Sequence, residues 1–243
     1  MVTQWGFLTP VLPSDNFKVT YPLTILKFIQ DRRSTRAYLP TPISEGALHE
    51  LLTSARLAPS GANLQPGSFV WVRGEVREAL TTELVQAWRD GQQETEDYSY
   101  FPKPMPHTLR RRQVAAAQAL YGASGVERDD RAGRDAQFER NFHFFGAPVA
   151  LVVTMPHDMG SGCYMDLGMT LYGLMLAAQA QGLATCAIGA LASYPSLIRR
   201  HLGLDASSHI VCGMALGYAD PDAPVNQTQT TRCELAEYFK VVG

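Results

Sequence analysis

Apolar residues recur at helical spacing along several stretches of this chain, and short runs of strand composition separate them. Leu23, Leu26 and Ile29 predict a helix over about Val19–Asp31, with Pro22 near its start. Leu48, Leu51, Leu52 and Ala55 fall at i, i+3, i+4 and i+7 behind Ser44, which is suited to cap the helix they form, and Pro59 ends it. Ser68–Val72 (SFVWV) reads as a strand and Glu75–Trp88 as a further helix. Gly91–Pro106 is acidic, aromatic and proline-rich without any period, which predicts a loop or lid. Helical stretches follow at about Leu109–Tyr121 and Arg131–Phe144. Ala147–Thr154 (APVALVVT) is an apolar run of the kind a central strand needs. Met165–Gln181 is apolar nearly all round, so a buried helix is expected; Gly168, Gly173, Ala177 and Ala178 suit close packing in a dimer core or, equally, against a sheet. Ala184–Ile188 and Ile210–Leu216 read as strands, joined by a helix over about Pro195–Leu202 that Ser193 is placed to cap.

Composition narrows the class. A chain of 243 residues, 46% apolar and 18% charged, can bury one sizeable core, and no repeat or composition shift marks a domain boundary. A formal net charge of −2 gives no surface for nucleic acid or an anionic membrane, and neither partner is expected. No apolar run approaches the roughly 20 residues of a membrane helix. The opening MVTQWGFLTPVLPSDN lacks the basic start and apolar core of a secretion signal, so a cytoplasmic location is expected. Cys163, Cys186, Cys212 and Cys233 never form a CxxC and read as packed thiols. Asn226-Gln227-Thr228 has glycosylation spacing, which in such a chain is a coincidence.

Several chemistries lack their residues. There is no G-x-S-x-G, H-E-x-x-H, G-x-x-x-x-G-K-[ST], or G-x-G-x-x-G after a strand. His143, His157, Asp158, Cys163 and Asp166 cluster without ligand spacing, and no metal is expected. The run Arg110–Arg112 reads as a solvated helix face. What remains are polar groups without a nucleophile. Arg32, Arg33, Ser34 and Arg36 crowd cations and a hydroxyl at a helix end, where they would meet a phosphate or a ring of polar acceptors, or merely offset the helix dipole. In LAPSGANLQPGSF, Pro59 and Pro66 stiffen the backbone, Ser60 and Gly61 allow a tight turn, and Asn63 and Gln65 offer carboxamides suited to a flat heterocycle or to their own loop.

RRSTRAY, the helix from Ser44, LAPSGANLQP and the following strand together resemble the opening of the nitroreductase family of FMN-dependent oxidoreductases; GLATCAIGAL and Arg232 fit the same family. The resemblance runs from about Tyr21 to Phe239 and is weakest between Gly91 and Phe144, while GMALGYADPDAPVN looks most like the branch acting on nitroarenes such as nitrobenzoates. It implies an α+β fold, a central mainly antiparallel sheet flanked by helices in an intertwined homodimer. The chain would be a single domain with an N-terminal extension (about 1–18), a helical excursion or lid (about 91–144) and a C-terminal tail (about 220–243) reaching the partner subunit. FMN would lie at the subunit interface, with Arg32, Arg33, Ser34, Arg36 and Arg232 on its phosphate, ribityl chain and pyrimidine edge. Pro59, Ser60, Gly61, Asn63 and Gln65 would reach in from the partner, and Ile188, Gly189, Ala190 and Leu191 would run along the flavin. NADH or NADPH would donate electrons and a nitroaromatic compound would accept them by a ping-pong mechanism, with no catalytic side chain required. Tyr98, Tyr100 and Phe101 are the candidate substrate-facing lid residues. Where many relatives carry Trp or another bulky residue this chain has Gly67, expected to leave a roomier cleft, and it lacks the acidic residue often found near Gly189. The same fold also hosts dehalogenases and enone reductases, and a flavin-binding or dimeric interaction protein without turnover is the reading outside enzymes.

Overall fold

Two strands buried on both faces organise the molecule. In a computed structural model that describes residues 24–243, β2 (Val149–Pro156) and β4 (Ser208–Gly217) form the centre of a four-stranded sheet of order β1-β2-β4-β3, with β1 (Ser68–Val72) and β3 (Ala184–Ile188) at its edges. All three pairings are antiparallel. Every residue of β2 from Val149 to Met155 is buried, which is why the sequence there is a continuous apolar run rather than an alternating one.

The pleat divides that run between two cores. Val149, Leu151 and Val153 pack with α2 (Glu45–Ala55) and α6 (Ser161–Ala180), while Ala150 and Val152 pack with α3 (Gly74–Arg89) and α7 (Pro195–Leu202). A bulge opposite Val153 and Thr154 sets Val211 out of register, so Val211 and Cys212 both join the α2/α6 core. The fold is therefore α+β with helices on both faces of an antiparallel sheet. Residues Arg32–Gly243 form one unit. Before it, α1 (Thr24–Asp31) carries an i,i+4 pair, Lys27 with Asp31 at 2.6 Å. The expected start of this helix at Val19, the stripe residue Leu23 and the N-terminal extension lie outside the described residues.

Several boundaries differ from the sequence reading, each for a local reason. The helix expected to run to Phe144 ends at Glu139 (α5, Arg131–Glu139); helix cannot continue through Phe144 and Phe145, whose φ of 51° and 55° are left-handed, and Phe142 and Phe144 are buried in the core. α4 (His107–Ala123) buries none of its residues. Within this chain α6 is buried on one side only: Met165, Gly168, Met169 and Tyr172, one helical stripe, are exposed, while Cys163, Asp166, Leu167 and Leu174 face inward. The tail after β4 contains a 3₁₀ turn (Pro224–Gln227) and α8 (Leu235–Tyr238).

The acidic stretch after α3 is a strap. Ser193 does not cap α7, since it lies in a 3₁₀ turn (Gly189–Ser193) and donates its hydroxyl to Glu96 at 3.0 Å. The Glu94 carboxylate caps the helix instead, accepting from the backbone N–H of Ser196 at 2.6 Å and of Leu197 at 3.2 Å. Asp97 accepts from Arg199 at 2.7 Å and from the Ile210 N–H at 2.8 Å, with both side chains of that ion pair largely buried. Removing the carboxylate leaves the Arg199 guanidinium buried without its counter-charge, so Asp97→Ala should lower the free energy of unfolding by about 3–5 kcal/mol. Urea denaturation followed by circular dichroism measures this; a loss below about 1 kcal/mol, the scale of exposed pairs, would show that the strap is not held there.

Candidate functional site

The first group of candidate residues gathers on the free edge of β3. Ser34 bridges Thr185 in parallel, and the Thr35 N–H donates to the Thr185 carbonyl at 3.0 Å, so the RRSTR segment lies along the strand that leads into Ile188, Gly189, Ala190 and Leu191. Arg36 and Arg32 are half-buried, and none of Arg32, Arg33 and Arg36 makes an ion pair among the described residues. Half-buried guanidiniums without a carboxylate leave this edge with cationic donors to spare. Beneath them sits Cys186. Burial pushes its thiol up, and the charges of Arg36 and Arg32 with a hydrogen bond from Ser34 only partly offset that. Gly189 borders the same place: a Cβ there would stand 3.2 Å from the ring of Tyr100, so the missing side chain lets an aromatic plane lie against the main chain.

The second group lies at the other end of the sheet. Pro59, Ser60, Gly61, Asn63 and Gln65 connect α2 to β1, whose edge is three strand spacings, about 14 Å, from that of β3. Ala62, Asn63 and Gln65 take left-handed φ of 50°, 58° and 51°, a concentration of strain that local propensity does not favour. Ser60 Oγ accepts from the Gln65 N–H at 2.9 Å, Gln65 Nε2 donates to the Asn63 carbonyl at 3.2 Å, and Asp166 of α6 accepts from the Gly61 N–H at 3.1 Å. Asn63 and Gln65 are exposed, and Ser60, Gln65 and Gly67 line a cleft of about 240 Å³ with Arg56, Phe69 and Thr170. Gly67 borders this cleft, and its φ of +103° is backbone that favours glycine; a Cβ there would stand 2.5 Å from a Leu167 methyl.

The aromatic candidates divide. Tyr98 is anchored, with its hydroxyl donating to the Val211 carbonyl at 2.7 Å and its ring 5.0 Å from that of Tyr164; burial holds its phenol well above the usual range. Tyr100 and Phe101 pair edge-on at 4.8 Å, remain about half exposed, and are free to meet a ligand. Under the strap, Trp88, Glu94, Glu96, Tyr98, Ser193 and Tyr194 line part of a cavity of about 720 Å³. Arg232 is not brought into contact with Arg32–Arg36 among the described residues. It bonds to Thr230 and Thr231 of its own tail, and lines with Arg111 and Arg112 a cleft of about 400 Å³ in which Arg112 also meets Glu237 at 3.1 Å. No group of three or more His, Cys, Asp or Glu among the described residues is placed to hold a metal ion.

Sequence reasoning missed three side chains that shape this arrangement. Asn226, read as part of a glycosylation triplet and as the end of the GMALGYADPDAPVN stretch, accepts from the N–H groups of Arg36 and Ala37 at 2.8 and 3.2 Å and donates to the Ala37 and Asp220 carbonyls at 2.8 Å, locking the arginine segment to the tail. Glu94 caps α7 from a distance in sequence that no cap motif spans. Asp166 did carry a signal, as the only charged residue in α6.

The model of the nitroreductase family matches residues 29–218. The chain belongs to the nitroreductase family. It is 40% identical to the 4-nitrobenzoate reductase of Pseudomonas putida over 87% of this chain and 92% of that protein. It is 36% identical to the chloronitrobenzene nitroreductase of Comamonas testosteroni, over 88% and 95%. Among solved structures, the FMN and NADPH-dependent nitroreductase NfnB from Sphigopyxis sp. strain HMH superposes with a TM-score of 0.86 at 35% identity, covering 91% of this chain and all of that one. NfnB from Mycobacterium smegmatis, solved with NADPH, gives 0.85 at 28% identity over 91% and 99%. The nitroreductase pattern thus spans nearly the whole described chain, including the Gly91–Phe144 stretch where sequence likeness was weakest.

Three of the four thiols of this nitroreductase should be chemically silent. Burial pushes Cys212 up to about 12, and Cys163, Cys186 and Cys212 are all buried, leaving Cys233 half-exposed. At pH 8 only about one part in ten thousand of a group titrating near 12 is thiolate, so a disulfide reagent should label Cys233 alone until the protein unfolds. The unfolded chain releases the Cys212 proton near 9 and the folded chain near 12, so folding stability should fall as pH rises through that interval. Rapid labelling of more than one thiol in the native protein would contradict this burial.

Proposed function

We propose that this chain is a cytoplasmic FMN-dependent oxidoreductase that uses NAD(P)H to reduce nitroaromatic compounds, and that it works as a homodimer with FMN at the subunit interface. The observation that carries the reading is the separation of the two donor groups. The arginines and Gly189 border β3, the carboxamide loop enters β1, and a four-stranded sheet stands between those edges. A second copy related by two-fold symmetry can bring its Pro59–Gln65 loop to the first copy's β3 edge, which one chain alone cannot do.

Exposed apolar surface supports the dimer. Met165, Met169 and Tyr172 on α6, Leu57 and Leu64 beside the loop, and Leu235, Tyr238, Phe239, Val241 and Val242 in the tail are all left uncovered by the protomer. In the dimer α6 would pair with its symmetry mate and the tail would lie across the partner.

The donor set fits FMN. Arg32, Arg33, Ser34 and Arg36 are suited to a phosphate and a polyol, and Arg232 would join them only from elsewhere than its place in this protomer; the glycine main chain at Gly189, against which the Tyr100 ring lies, accommodates a planar ring, and Asn63 and Gln65 suit a heterocycle edge carrying alternating carbonyl and N–H groups. When bound, the flavin supplies the redox chemistry, accepting hydride equivalents from the nicotinamide and passing them to the nitro group. The chain's own residues hold and orient. Main-chain N–H groups of Gly189–Leu191 would donate to the bound group, and the arginine cluster would offset negative charge on it. Tyr100 and Phe101 would narrow the slot and exclude water from it. No side chain is assigned as a general acid.

Purified protein should show flavin absorption bands that bleach on anaerobic addition of NADH or NADPH and return with a nitrobenzoate, and light scattering should give twice the chain mass. A colourless protein that takes up no added FMN would remove the reading, and faster reoxidation by a halogenated or enone substrate would reassign the reaction. Phe101→Ala should raise KM for the nitro compound several-fold while leaving FMN affinity unchanged. Unchanged steady-state constants would take Phe101 out of the slot.

A further inference from the structure

We propose that Asp166 is a positioning residue for the cofactor: its carboxylate fixes the loop that delivers Asn63 and Gln65. The assignment rests on the flavoprotein reading above and adds to it a residue outside the cofactor-contacting set.

The loop cannot hold its own shape by local preference. Ala62, Asn63 and Gln65 are three non-glycine residues in left-handed conformation within four positions, and such backbone persists only where its surroundings fix it. Two of its side-chain bonds are internal, from Gln65 N–H to Ser60 Oγ and from Gln65 Nε2 to the Asn63 carbonyl. Asp166 supplies the external one. It lies on α6, 5% exposed, and its Oδ2 accepts the Gly61 N–H at 3.1 Å, the only side-chain hydrogen bond Asp166 makes among the described residues. A carboxylate so buried needs a donor, and the donor here is the backbone at the start of the strained turn. The next residue, Leu167, closes on Gly67 at the far end of the segment, where a Cβ would stand 2.5 Å from its methyl. Consecutive residues of one helix thus grip Gly61 and Gly67, with Asn63 and Gln65 exposed between them. The same helix presents Met165 and Met169 on its uncovered face, so the element that would seat the partner also sets the loop that would reach into the partner's site.

The test compares wild type, Asp166→Ala and Asp166→Asn as purified homodimers, reading FMN affinity by flavin fluorescence, the visible circular dichroism of bound FMN, and amide hydrogen exchange. Loss of the acceptor in Asp166→Ala should weaken FMN binding roughly tenfold, change the flavin dichroism, and raise exchange in residues 60–65 while α6 and the sheet stay protected. Asp166→Asn keeps an oxygen able to accept the same N–H and should restore affinity to within about threefold of wild type. Should the alanine variant fail to fold, Asp166→Ser, whose hydroxyl is too short to span the gap, replaces it. Wild-type FMN affinity and loop protection in the alanine variant would overturn the assignment, as would an asparagine variant no better than alanine. Exchange rising through α6 and the sheet in step with lost FMN would also overturn it, in favour of general stability. A wild-type protein that takes up no FMN would instead overturn the flavoprotein reading, while exchange at residues 60–65 still reports whether Asp166 fixes the loop.

Discussion

The rest of the structure depends on the burial of β2 and β4 on both faces. With every residue from Val149 to Met155 covered, the centre of the sheet has no room for polar chemistry, because an unpaired polar group there would lose its water without replacement. The candidate site residues lie instead at the two edges, where unpaired backbone groups and open space remain. One edge receives the arginine segment through the Ser34–Thr185 bridge, and the other receives the carboxamide loop as it enters β1. The separation of the two candidate groups follows from that displacement.

Edges carry a cost, and long-range polar contacts meet it. Asn226 fastens the arginine segment to the tail across most of the chain's length, Asp166 fastens the carboxamide loop to α6, and Glu94 and Asp97 fasten the strap to α7 and β4. Each is a side-chain acceptor meeting backbone N–H groups that regular structure leaves unpaired. These contacts rigidify segments that would otherwise move, while Tyr100 and Phe101 escape such anchoring. The polar skeleton thus separates what must stay fixed around a planar ligand from what can yield to one.

The fold was largely legible in the chain. Period and composition marked α1 to α7 and all four strands, most directly α2, α3, α6, α7 and the strands, each of which buries apolar residues; the short α8 carried no such mark. Ends were less so: α5 stops early where Phe144 and Phe145 turn left-handed, a conformation imposed by the core and unmarked by glycine until Gly146. The uniform hydrophobicity of α6 announced burial, yet the protomer covers only part of it. Periodicity reports how much surface must be buried and leaves open which chain buries it.

At the site the division is sharper. The sequence by itself determined the chemistry on offer: clustered guanidiniums, a carboxamide pair between prolines, a small-residue turn after a strand, and an aromatic, proline-rich stretch without regular period. These are properties of residue type and short spacing, and they suffice for the family. Only the tertiary structure decided that the guanidiniums and carboxamides stand at opposite sheet edges, that Gly67 is held by Leu167 and its own φ, and that Asp166, Glu94 and Asn226 hold their loops. The physical reason is range. Propensity and periodicity act over a few residues, whereas a hydrogen bond from residue 166 to residue 61 or from residue 36 to residue 226 depends on how the whole chain has closed around its sheet.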